Sequence, residues 1–161
     1  MNRHLGRIGK GFLAGALLTA ALPLAASRPM DQEDDFNRSR KFAEAQHEIV
    51  VLLIMKENFS QALIEANKIF ALKWPQNQEP VLLKELLGFS DQFRHHKQPD
   101  LALRLLEANL KIFKSLKSQA SIWMDKGYIL EGMGRHDDAI ECFKEAQRLE
   151  KTIREPLSPC R

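Results

Sequence analysis

The side chains best suited to chemistry are few and badly grouped. His95 and His96 are adjacent, so on a helix they diverge by about 100 degrees and make poor joint ligands for one metal ion. His136 runs into Asp137 and Asp138, a pattern that reads as a turn and a helix start, and no two histidines are spaced by four. Cys142 and Cys160 are too few and too far apart for a zinc or haem motif. In an oxidising compartment the tail can fold back and pair them; the other reading makes Cys142 a small buried apolar side chain. No glycine-rich phosphate loop or nucleophile elbow is present, and Gly132 and Gly134 punctuate a helix end instead. Scattered Asp and Glu offer no better acid and base pair than any helical surface does. These residues predict no enzyme, no cofactor and no metal.

Charge narrows the partners. The formal net charge is +3, but residues 1–27 hold Arg3, Arg7 and Lys10 and no acid, so the remainder balances at 21 basic and 21 acidic side chains. A balanced domain lacks the one-signed field that drives counterion-release binding, which argues against nucleic acid. The basic start precedes an uncharged run over 12–26 with Leu17, Leu18 and Leu24, then Pro23 and the small Ala25, Ala26 and Ser27. Charge, apolar run and small residues form the layout of a secretory signal, shorter than the roughly 20 residues a membrane span needs. The reading is a signal peptide over 1–27, cut near Ser27 or Arg28, with a periplasmic or secreted product. A retained inner-membrane signal anchor is the alternative, and the only membrane contact expected.

Such side chains need elements to position them, and the spacing predicts helices only. An acidic linker over 28–35 leads into a helix from Phe36 with Phe42, Ala45, Ile49, Leu52 and Leu53 at intervals of three and four. The dense apolar stretch 50–55 predicts burial of that helix on more than one side. A break at 57–60 opens a second helix with Ala62, Leu63, Ala66, Ile69 and Phe70, stopped before Trp74 and Pro75. A third is expected over 81–96 and a fourth from Pro99, which suits a first helical turn. A fifth over 119–133 and a sixth over 137–149 complete the helical domain, 36–154, before a flexible tail over 155–161. Nothing alternates with a strand's period of two.

Three times a helix gives way to a polar turn and a second helix, and such repetition changes the expected architecture. In the last unit Trp123, Gly127, Ala139, Phe143 and Ala146 stand at positions four, eight, twenty, twenty-four and twenty-seven of a 34-residue repeat. That unit closely resembles the tetratricopeptide repeat. Gly127 and Ala139 are small enough for paired helices to nest, while Trp123 and Phe143 supply area that glues hairpins together. Leu130 stands where the family favours tyrosine and Lys151 where it favours proline. Earlier units are degenerate: with Ala62 and Ala102 at position twenty, Val50 and Ser90 take position eight. Those alanines lie 40 and 37 residues from their successors, so residues 73–80 are expected to bulge as a loop. The resemblance covers 36–151 and implies an all-α, tetratricopeptide-like α-α superhelix of about three hairpins.

The resemblance also implies where a partner would bind: a trough lined by the first helix of each hairpin. Its groove positions fall on Glu44, His47, Glu48, Val51, Ile54 and Met55, then on Lys84, Leu87, Asp91, Arg94 and His95. In the last unit they fall on Ser121, Met124, Asp125, Tyr128 and Glu131. Only Lys84 and Arg94 suit a clamp for a peptide carboxylate, so an extended or helical protein segment over the Met and Tyr contacts is expected instead. The implied role is an exported adaptor that binds a protein partner through its concave face. A structural subunit of a cell-envelope complex is the alternative, then an accessory subunit of an enzyme. Three units sit near the lower limit for a solenoid, so an oligomer fits as well.

Overall fold

Proline suits the place where the first helix begins. The computed structural model describes residues 29–155, in which α1 spans Pro29–Met55. Pro29 needs no backbone donor in a first turn. The helix therefore starts seven residues before Phe36, and the expected acidic linker is helical from Pro29. The signal segment 1–27, Arg28 and residues 156–161, including Cys160, lie outside the described residues.

Five more helices follow: α2 Phe59–Phe70, α3 Glu79–His95, α4 Pro99–Asn109, α5 Leu116–Gly132 and α6 His136–Arg154. The expected 81–96 and 119–133 are thus displaced by a turn or less, whereas the expected 137–149 runs on five residues further, to Arg154. Residues 73–80, expected as a bulging loop, hold a 3₁₀ turn at Gln76–Gln78, and Glu79 and Pro80 already belong to α3. A second 3₁₀ turn, Leu110–Ile112, ends the fourth helix and drops Phe113 into the core in extended conformation. No strand occurs among the described residues, and no helix there is long and apolar enough to cross a membrane.

Neighbours in sequence pair as three hairpins, α1 with α2, α3 with α4 and α5 with α6. Each hairpin turns in the same way. Glu57, Lys97 and Gly134 take positive φ of 58°, 59° and 76°, and each stands five residues before Ala62, Ala102 or Ala139. The N–H of each donates back to Ile54, Arg94 or Glu131, and the next N–H reaches Leu53, Phe93 or Leu130 at 2.8 to 2.9 Å. This pair of hydrogen bonds satisfies carbonyls that a helix end otherwise leaves open.

The three alanines are buried, as are Val50, Ser90 and Gly127 opposite them. One continuous apolar core runs from Val50 through Phe89, Phe93, Leu105 and Leu106 to Cys142. Burial of α1 is one-sided, contrary to the dense apolar stretch. Val50 and Ile54 face the core, whereas Phe42, Ile49, Leu52 and Met55 stay exposed, because no described element packs on their face.

Candidate functional site

The first helices α1, α3 and α5 are tied in series by side chains that span hairpins. His47 on α1 meets Glu85 on α3 at 2.5 Å and lays its ring 5.3 Å from that of Phe89. On α3 the Ser90 hydroxyl donates to Asp125 of α5 at 2.6 Å, and the Arg94 guanidinium reaches the same carboxylate at 3.1 Å. Arg94 also approaches Asp91, which His95 contacts at 3.1 Å. His47, Arg94 and Asp125 thus make inter-helix links, while Asp91 and His95 pair within α3.

The other expected residues are placed less tightly. Glu44 is exposed and pairs along its own helix with Arg40, while Glu48, Lys84 and Glu131 are exposed. Leu87 is half-buried against the core and Met124 is half-buried. Tyr128 is 53% exposed, its ring edge-on to Phe143 at 5.3 Å. Ile54 is a correction: at 2% exposure it belongs to the core and cannot line a groove, because its position turns toward α2. Trp123 and Phe143 are each only partly buried on the core, short of full shielding. The Trp123 ring carries the ammonium of the buried Lys126 4.5 Å from its centroid, and Lys126 continues to Glu107 at 3.1 Å.

Several organising residues had no motif to reveal them. Glu79 is buried at the start of α3, where its carboxylate accepts from the backbone N–H groups of Lys114 and Ser115 at 3.0 and 2.9 Å. Burial opposes its charge, but these bonds and one from the Ser118 hydroxyl hold its carboxyl below the usual range. Buried Gln46 bridges α1 to Glu65 on α2, and Asn109 donates to Asn67 at 2.7 Å between α4 and α2. For Gln46 and Asn109 a polar residue interrupting an apolar face was the available signal, whereas Glu79 follows polar residues and offered none.

The longer connection between the first two hairpins builds a cleft. Trp74 turns back so that its Nε1 donates to the Ile69 carbonyl at 2.8 Å, and its ring stands edge-on to Phe36 at 6.3 Å. With Ala43, Ile69, Val81 and Leu82 these rings line about 250 Å³ between α1 and α3, rimmed by Arg40, Glu44, His47, Gln78 and Glu85.

No group of three metal-binding side chains exists among the described residues. Cys142 is buried, and burial pushes its thiol up, away from the reactive thiolate. Residues 120–153 match the family described as tetratricopeptide repeat, in the register set by Trp123, Gly127 and Ala139. No curated protein and no solved structure matches the chain. The described residues thus form three like helical hairpins, and the last of them carries the match to the tetratricopeptide repeat.

Proposed function

We propose that the protein is an exported adaptor that holds a segment of another protein along a concave face made by α1, α3 and α5. The carrying observation is the repeat itself, since tetratricopeptide repeats are typically interaction modules without catalysis. Exposed Tyr128, which lines one cleft with Arg94 of the preceding first helix, and exposed Lys84 farther along that helix support an aromatic and ionic grip on such a segment. Export rests on the basic, apolar and small-residue order of residues 1–27.

Affinity capture from the cell envelope with the tagged full chain, followed by mass spectrometry, tests both parts. Combined Lys84→Ala, Arg94→Ala and Tyr128→Ala should abolish capture of the dominant partner while helicity by circular dichroism persists. The captured chain should begin near Ser27 or Arg28. Unchanged capture removes the groove, and a chain still starting at Met1 removes cleavage.

One observation favours a second reading, a structural subunit of an envelope complex. The exposed row Phe42, Ile49, Leu52 and Met55 on α1 is an apolar face of the kind that fixed partners cover.

A further inference from the structure

We infer that the cleft between α1 and α3 receives one bulky apolar side chain of a cationic partner segment; this rests on the adaptor reading and names its ligand chemistry. The size of the space comes first. About 250 Å³ falls below the ~300–1,000 Å³ of sites for cofactors and drug-sized molecules, and suits a single anchoring side chain. Its walls are apolar and stiff. Ile69 and Leu82 are core residues, and Trp74 is fixed by its bond to the Ile69 carbonyl and by the edge of Phe36. A preformed wall costs little ordering when the anchor enters.

The cleft is peculiar to the junction of the first two hairpins. It depends on the start of α1, which supplies Phe36, and on residues 71–78, which supply Trp74. The junction of α3 with α5 has no such connection, and Ser90 and Arg94 close it with polar bonds to Asp125.

Charge decides what flanks the anchor. At the rim Arg40 is matched by Glu44, and His47 sits on Glu85. Continuing along α1, α3 and α5, the carboxylates are Glu44, Glu48, Glu85, Asp91, Asp125 and Glu131, against the fixed cations Arg40, Lys84, Arg94 and Lys117. The face is therefore acidic by two charges, although the chain after residue 27 is neutral. Lys or Arg beside the anchor would meet this excess, whereas an acidic segment would be repelled.

Calorimetric titration of the full chain with short synthetic peptides tests the assignment. The probes are a Lys-flanked leucine peptide, its Glu-flanked counterpart, a Lys-flanked alanine peptide and free indole. The Lys-flanked leucine peptide should bind saturably, and both other peptides should be at least about tenfold weaker. Val81 is 62% exposed, so Val81→Asp spoils the cleft without disturbing the core and should weaken the leucine peptide by about tenfold. Glu44→Lys with Glu48→Lys should do the same. Trp74 emission, read in a Trp123→Phe background, should shift with the leucine peptide alone. Equal affinity for the Glu-flanked or alanine peptides, binding of indole without any peptide, or indifference to Val81→Asp overturns the assignment. If peptides fail while partner capture still depends on Lys84, Arg94 and Tyr128, the cleft is wrong and the adaptor stands. If peptides seat but capture ignores those residues, the cleft stands and the adaptor falls.

Discussion

A Cβ added to Gly127 would fall 2.7 Å from Cδ1 and 2.8 Å from Cζ of Phe143, inside any distance that carbon atoms tolerate. The ring occupies the volume that a side chain at position 127 would need. The same two register positions, sixteen residues apart, hold Val50 with Ala66 in the first hairpin and Ser90 with Leu106 in the second. All four of these are buried, so each hairpin fills its seam with a different division of bulk. Gly127→Ala should cost about 1–3 kcal/mol by overpacking, measured by urea unfolding. Adding Phe143→Leu should return part of that loss, because the pair then approaches the Ser90 and Leu106 solution. A Gly127→Ala chain within about 0.5 kcal/mol of wild type would mean that the ring turns aside freely.

Helix ends carry a second rule, since the three turns share one left-handed residue but only one of them is glycine. Glu57 and Lys97 have a Cβ where that geometry costs about 1–2 kcal/mol. After the extra chain entropy that glycine loses on folding, Lys97→Gly should still raise stability by about 0.5–1 kcal/mol, whereas Gly134→Ala should lower it. Thermal melts that rank the two substitutions the other way would contradict the shared turn. Gly134 was legible in the sequence as a helix stop, because glycine announces this conformation; Glu57 and Lys97 were not, because charged residues announce only exposure. The last hairpin was legible for a like reason, its Gly127 and Phe143 being the family's own division of volume. Glu79 was illegible because its partners are backbone groups 35 residues away, which no residue type encodes. Its carboxyl is held below its ordinary value, so its contribution is full above the unfolded-chain pKa of about 4.3 and is lost as pH falls through the folded value. Glu79→Gln should therefore be less stable than wild type at neutral pH, and the gap should close below about pH 4. A gap that stays constant on acidification would show that packing of the side chain, and not its charge, holds α3 to the start of α5.

At the scale of the molecule the two ends of the stack differ. Shifting α1 by the repeat spacing places Phe42 and Ile49 on Leu82 and Phe89 of α3, and Ala45 and Leu52 on Ile122 and Ile129 of α5. Those four residues of α3 and α5 are buried, and the Phe89 ring lies on His47 of the hairpin before it. In α1 the equivalent side chains face outward, so the first hairpin presents a stacking surface with nothing described against it. At the other end Gln147 replaces Phe70 and Leu110 of the earlier hairpins and is exposed, which suits contact with water. An apolar row on one helix, spaced by three and four, is also what an opposing helix needs for close packing, including α1 of a second copy. The isolated chain should therefore show concentration-dependent association in sedimentation velocity. Combined Phe42→Glu, Ile49→Glu and Leu52→Glu should abolish association while leaving the melting midpoint nearly unchanged, since none of the three supports the core. A wild-type chain that sediments as a monomer at every concentration, alongside the triple variant, would show that this face has no affinity for its own kind and would leave it to a different chain or to residues outside 29–155.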